Sequence, residues 1–183
     1  GTEYTKEMID AALSSDNPKA LVPTQDESGH GTFLASVAAG GADVENQFLG
    51  AAPESKLAIV KLKPAKKYLK EFYLITEEKE CYQENDIMLG MRYLNELANR
   101  YDMPLVICIA LGSNMGGHNA TLPITGLLEM YANIANRAVV IGGGNEANQR
   151  HHFYGKAENV NDIKKAEVRV DGGMKGRSEE HTS

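Results

Sequence analysis

Apolar residues recur at helical spacing in four parts of the chain and form short runs in three others. Steps of three and four residues, such as those joining Ile87, Met91 and Leu94, predict amphipathic helices. The run over residues 105–111 predicts a strand that is apolar on both faces. By these criteria helices are predicted at 5–13, 32–39, 87–101 and 124–135, and strands at 56–62, 105–111 and 138–141. A loop is expected to join the first two helices.

From residue 56 onward the predicted elements alternate as strand, helix, strand, helix, strand. This order is typical of parallel strands joined by right-handed crossovers. The sequence therefore predicts an α/β fold with a doubly wound parallel sheet, in which binding sites lie beyond the carboxyl ends of the strands. Three polar segments fall at such strand ends or helix starts: Ser28-Gly29-His30-Gly31-Thr32, Leu111-Gly112-Ser113 and Gly142-Gly143-Gly144-Asn145-Glu146.

Composition narrows the class of protein. The 183 residues are 42% hydrophobic, which is enough for the core of one domain and excludes fibrous and disordered classes. Lys and Arg number 19 against 25 Asp and Glu, and the net charge of −6 argues against nucleic acid and anionic membrane surfaces as partners. No apolar stretch approaches the roughly 18 residues of a membrane span. Two cysteines exclude a disulfide scaffold, and Cys108 is expected to be a small buried side chain.

His30 is the strongest candidate for chemistry. Glycines on both sides leave its backbone approachable, and Thr32 can fix the turn by bonding local amides. These features suit a general base that must reach both a substrate and a nucleophile. For the tripeptide alone, a plain turn with a solvated histidine is the better interpretation.

Four motifs that follow one another along the chain favour a catalytic role for His30 over a plain turn. Gly29-His30-Gly31-Thr32 stands at a predicted helix start, and Gly50-Ala51-Ala52-Pro53 leads into the first predicted strand. Ala110-Leu111-Gly112 lies at the end of the second predicted strand, and Gly143-Gly144-Asn145-Glu146 follows the third. Together they resemble the subtilisin-like serine proteases. Further segments resemble the clostridial branch of that family, which is related to spore-germination proteases: Gly1-Thr2-Glu3-Tyr4-Thr5, Tyr82-Gln83-Glu84-Asn85-Asp86-Ile87 and Arg150-His151-His152.

The resemblance implies roles for individual residues. His30 would be the general base of a Ser-His-Asp triad, and Asn145 would donate to the oxyanion of the tetrahedral intermediate. Leu111, Gly112, Gly143 and Gly144 would line the substrate cleft. The implied fold is the subtilisin-type parallel sheet in incomplete form, and the implied partner is a peptide or protein substrate.

The other two triad residues are not found by their motifs. The family's acid ends an apolar strand before the His, whereas Asp10, Asp16 and Asp26 lie in a predicted helix, turn and loop. The nucleophile belongs to Gly-Thr-Ser, which does not occur in the sequence. We therefore expect the Asp upstream of Gly1 and the Ser downstream, and expect this stretch alone not to hydrolyse peptides. A catalytically inactive binding protein of the same fold remains an alternative, and a nucleotide-binding domain is a weaker one.

The resemblance also suggests how the chain is organised. Residues 1–155 would be part of a subtilase catalytic domain, and 156–176, where Ala166-Glu167-Val168-Arg169-Val170 alternates like a strand, would begin a β-rich insertion. Residues 177–183 lack apolar periodicity and resemble the translation of a sequencing-library adapter, with a polar natural terminus as the alternative. Because the chain does not begin with Met, we expect that it has lost a preceding segment.

No cofactor or metal is predicted. His118, His151 and His152 lie near predicted strand ends, but their spacing matches no ligand motif, so surface or substrate-contact roles are expected. The glycines of residues 112–117 lack the Gly-Lys-Ser/Thr of a phosphate-binding loop. Asn119-Ala120-Thr121 fits a glycosylation sequon, although Thr121 is more simply interpreted as a helix cap.

Overall fold

The computed structural model describes residues 1–76 and 80–169. Its contacts divide the chain into two compact units, Gly1–Ala58 and Ile59–Ser183. The expected adapter-derived tail at 177–183 lies outside the described residues. Among the described helices, none is both long enough and apolar enough to cross a membrane.

The first unit contains three helices, α1 (Lys6–Leu13), α2 (Pro18–Leu21) and α3 (His30–Ala39). The predicted first helix is confirmed, and Thr5 caps it by accepting a hydrogen bond from the Met8 N–H at 3.4 Å. Helix α2 interrupts the loop expected before α3. It begins at Pro18, whose fixed φ suits the first helical position.

The second unit contains α4 (Lys67–Phe72), α5 (Glu84–Arg100), β1 (Leu105–Ile109), α6 (Pro123–Ala132) and β2 (Arg137–Ile141). Strands β1 and β2 pair in parallel, with Ile107 opposite Val139 and Ile109 opposite Ile141. Helix α6 forms the connection between them. This strand, helix, strand unit confirms the predicted crossover from β1 to β2.

The core of the second unit lies on one face of this sheet. Met91 of α5, Ile107 of β1 and Tyr131 of α6 are buried together. The side chains packed around them are Ile87, Leu94, Leu105, Ile109, Leu127, Leu128 and Val139. The three and four residue steps of α5 therefore point its apolar stripe at β1, as the sequence predicts.

The opposite face of β1 corrects the expectation for Cys108. Val106 is 66% exposed and Cys108 is also exposed, so this face of β1 is apolar but not buried, and Cys108 is not a core residue. Successive side chains of a strand point to opposite faces, and α5 and α6 cover only one of them. Within the described part of this unit, no helix or strand covers the second face of β1.

The strand predicted at 56–62 does not form. Leu57 and Ile59 are 54% and 68% exposed, and these residues make no ladder in the described chain. An apolar run becomes a strand only when a neighbour accepts and donates its backbone hydrogen bonds, and this segment crosses the division between the two units. Residues 166–169 likewise form no strand, and Val170 lies outside the described residues.

Helix α6 differs from its prediction at both ends. It stops at Ala132 and not at Ala135, because the Asn133 side chain donates to the Glu129 carbonyl at 2.9 Å and Asn136 turns left-handed at φ +60°. At its start the N-cap is Leu122, so Thr121 is not the cap. Glu84 of α5 supplies the acceptor instead, taking a hydrogen bond from the Ile124 N–H at 2.9 Å.

Candidate active site

His30 is the first residue of α3. Gly29 precedes it as the N-cap with φ +74°, a left-handed conformation that glycine adopts without steric cost. The Phe33 N–H then donates to the Gly29 carbonyl at 2.9 Å, which closes the first turn of the helix. The Gly-His-Gly-Thr motif therefore turns the chain sharply into a helix and leaves the His30 side chain exposed at its start.

Asp26 organises this turn. Its Oδ1 accepts from the Gly29 N–H at 2.9 Å and from the Ser28 hydroxyl at 3.2 Å. Its Oδ2 accepts from both the backbone N–H and the hydroxyl of Thr32, each at 2.8 Å. One carboxylate thus accepts from backbone N–H groups on both sides of His30. Such N–H groups at a helix start have no partner within the helix.

The charge of Asp26 follows from these contacts. The hydrogen bond from the Thr32 N–H, together with those from the Thr32 hydroxyl, Gly29 and Ser28, holds the pKa of the Asp26 carboxyl far below its ordinary value. The anion also lies at the positive end of the α3 dipole. Sequence reasoning placed Asp26 only in a loop, although an Asp shortly before Ser-Gly is a recognisable signal for a side chain that bonds its own turn.

The other end of α3 is held by the Gly50-Ala51-Ala52-Pro53 motif. The N–H groups of Gly50, Ala51 and Ala52 donate to the carbonyls of Gly40, Val37 and Ala38 at 2.9, 3.0 and 2.8 Å. Gly50 is buried, and a Cβ at this position would lie 2.4 Å from the Gly40 nitrogen. The helix that carries His30 is therefore anchored at both ends by residues of its own unit.

The imidazole of His30 has no hydrogen-bond partner among the described residues. Asp26 lies close in sequence, but its carboxylate accepts hydrogen bonds from Ser28, Gly29 and Thr32. The structure therefore gives Asp26 a role at the helix start. These contacts do not make Asp26 the acid of the catalytic triad.

In the second unit, the carboxyl ends of β1 and β2 bring two loops together. Ile109 and Ile141 are paired, and the Gly142 N–H extends the ladder by donating to the Ile109 carbonyl at 3.1 Å. Beyond this point, a Cβ on Gly112 would lie 3.8 Å from the Cα of Gly144. The sequence-based expectation that these two glycines lie at one edge of the sheet is met by this geometry.

Asn145 follows Gly144, which has φ +80° and so turns the chain in a way that glycine alone allows readily. Asn145, Gly143 and Gly112 are exposed, while Leu111 is half-buried where its loop leaves β1. A Cβ on Gly143 would meet nothing within 4 Å. The loop backbone around Asn145 is therefore open to a ligand.

The histidines of this unit are turned toward different partners. His151 Nδ1 lies 3.1 Å from Glu146 Oε2, whereas the His152 ring packs edge-on against His118 with 4.8 Å between centroids. In the described residues, no three His, Cys, Asp or Glu side chains are grouped so as to hold a metal ion. The contact of His151 with Glu146 could not be read from the sequence, because it depends on the path of the intervening turn.

Comparison with known proteins agrees with these motifs. The structure of the Clostridium perfringens CspB protease matches 81% of this chain with a TM-score of 0.67 and 30% sequence identity. That match covers 30% of the CspB chain, so this chain spans about a third of its length. No protein with a curated description matches the chain. The family model of the Subtilase family matches residues 5–167, and the chain therefore belongs to the subtilases.

Proposed function

We propose that this chain is the part of a serine endopeptidase that carries the general base, His30, and an oxyanion donor, Asn145. The observation that carries the proposal is the placement of His30 at the start of a helix held at both ends, by Asp26 and by Gly50, in a chain that belongs to the subtilases. A general base must keep one position while its partners change, and this anchoring supports that role.

In the proposed reaction a serine hydroxyl attacks the carbonyl carbon of the substrate peptide. His30 takes the hydroxyl proton as the C–O bond forms, and the carbonyl electron pair moves onto the oxygen. His30 then returns the proton to the leaving amine as the C–N bond breaks. Water repeats the sequence on the acyl-enzyme and releases the second product.

Asn145 is proposed to donate its side-chain amide N–H to the oxyanion. An amide stabilises developing negative charge without changing its own charge, and the open glycine backbone before it leaves room for a substrate. Leu111, Gly112, Gly143 and Gly144 are proposed to line the cleft. Their two loops begin at paired strand ends, which supports a shared surface for an extended peptide.

The nucleophile and the acid are proposed to come from segments outside these 183 residues. The sequence contains no Gly-Thr-Ser, and the carboxylate of Asp26 is already bonded to the turn around His30. It follows that the 183-residue chain by itself is expected to lack peptidase activity.

The test is to express the continuous gene that contains this segment and to measure both peptide hydrolysis and covalent labelling by a fluorophosphonate. We expect both in the unaltered protein and neither in His30→Ala. His118→Ala is the matched control, a histidine whose ring contacts His152. Hydrolysis that survives His30→Ala would overturn the proposal.

A further inference from the structure

Three side chains bridge the loops that follow β1 and β2. The Asn114 Nδ2 lies 2.5 Å from Glu146 Oε2 and 3.0 Å from His151 Nδ1, and the latter two atoms are 3.1 Å apart. Asn114 belongs to the loop after β1, and the other two residues to the loop after β2. We call Asn114, Glu146 and His151 the loop bridge.

The backbone of the second loop is folded so that His151 returns to Glu146. The Gln149 N–H donates to the Glu146 carbonyl at 2.9 Å, and Arg150 has φ +58°. A left-handed conformation is uncommon for a residue other than glycine and persists where surrounding contacts determine it. The contact of His151 with Glu146 and Asn114 is such a surrounding contact.

The imidazole has a partner in either neutral tautomer. When Nδ1 of His151 is protonated, it donates to the Glu146 carboxylate. When Nδ1 is unprotonated, it accepts from the Asn114 amide. Asn114 retains a second N–H for Glu146 in both cases. The loop bridge is therefore retained whichever nitrogen of His151 is protonated.

Asn145 lies between the two points at which this loop is attached. On its amino side, Gly144 approaches Gly112 of the loop after β1. On its carboxyl side, Glu146 is bonded to Asn114 of that same loop. We propose that Asn114 and His151 are positioning residues for Asn145, acting through Glu146; the role rests on the proposed function of Asn145 as oxyanion donor.

The solvent exposure of the loop bridge determines how much it contributes to stability. The side chains of His151 and Glu146 are 44% and 54% exposed, so water screens their attraction and the loop bridge adds little to global stability. Its consequence is local, because it fixes where the Asn145 amide lies relative to the sheet. A displacement of about 1 Å in such a donor is enough to cost on the order of a hundredfold in rate.

The first test uses the 183-residue chain and measures the NMR resonances of the Asn145 side-chain amide and the Gly144 backbone amide. We expect Asn114→Ala and His151→Ala to shift both resonances. His152→Ala is the matched control, because its ring stacks on His118 and not on Glu146. Shifts in His151→Ala no larger than those in His152→Ala, in chains with equal far-UV circular dichroism, would overturn the proposal.

The second test uses the protease encoded by the continuous gene. We expect His151→Ala to lower kcat by roughly tenfold to a hundredfold with KM nearly unchanged, because the misplaced donor acts on the transition state. His151→Gln keeps a side-chain donor and should restore most of the rate. A kcat equal to that of the unaltered protein, or an equal loss in Ala and Gln, contradicts the proposal. If the unaltered protein shows no His30-dependent hydrolysis, the proposed function fails, while the NMR comparison still decides the loop bridge.

Discussion

The Oδ2 atom of Asp26 accepts two hydrogen bonds from Thr32, one from its backbone N–H and one from its hydroxyl, both at 2.8 Å. The two residues stand on either side of His30 in sequence. Their contact bonds the loop that enters α3 to the first turn of the helix, so the position of His30 is set by a carboxylate that need not touch the imidazole.

Asp26→Ala should loosen the start of α3. The N–H groups of Gly29 and Thr32 lose their acceptor, and we expect their hydrogen exchange to accelerate while that of α5 is unchanged. The measurement is amide exchange followed by NMR. Asp16→Ala is the control, an exposed Asp of the same unit with no hydrogen bond to α3. Equal exchange at Thr32 in the two variants would contradict the assigned role.

The same carboxylate should make the start of α3 sensitive to acid. Its pKa in the folded chain is held well below the value of about 3.9 for an unperturbed Asp. The stabilisation is therefore fully present above that value and is lost as the pH falls through the lower folded pKa. Urea unfolding at pH 7 and at successive values below 4 should show the unaltered chain losing its advantage over Asp26→Asn as the pH falls. A constant difference between the two would be the contrary result.

Gly50→Ala should destabilise the unit that carries His30. The added Cβ would lie 2.4 Å from the Gly40 nitrogen and 2.8 Å from the Gly40 carbonyl oxygen, both backbone atoms that cannot rotate away. We expect a loss of about 1–3 kcal/mol in the free energy of unfolding, as for overpacking of a buried position. Gly41→Ala is the matched control because its Cβ would meet nothing within 4 Å. Similar stability of the two variants would show that Gly50 does not make this close contact.

Asn145→Ala in the protease encoded by the continuous gene should lower kcat and leave KM largely unchanged. Removing such a side-chain donor from a subtilisin costs about 10²- to 10³-fold in kcat, and we carry that measured magnitude over to this chain. Asn17→Ala serves as the control, since its side chain makes no capping hydrogen bond at α2. A rate loss shared by both variants would indicate a general defect, and no loss in Asn145→Ala would remove Asn145 from the mechanism.

The sequence alone predicts those parts of the fold whose signal is local. The apolar steps of α5 and of α1 are read directly from neighbouring residues, and both helices are confirmed. The segment at 56–62 carries an equally clear apolar pattern, yet whether it becomes a strand depends on a partner that its own residues do not specify. Cys108 shows the same limit, because its burial depends on what covers the second face of β1.

The candidate site also contains residues that the local sequence reveals and residues that only the three-dimensional structure reveals. His30 and Asn145 are recognisable because their glycine neighbours and their order along the chain are visible in the sequence. The contact between Asn114 and His151 spans 37 residues and depends on the left-handed turn at Arg150. Asp26 falls between these cases, since its turn signal is local but the number of donors it gathers is apparent only in three dimensions.

The most direct test of the central claim is to sequence the source DNA across both ends of this segment. The proposed serine endopeptidase predicts an apolar strand ending in Asp upstream of Gly1, and a Gly-Thr-Ser motif downstream of Asn145. A continuous gene that lacks either one would contradict catalysis through His30 and leave a subtilase-like binding protein as the interpretation.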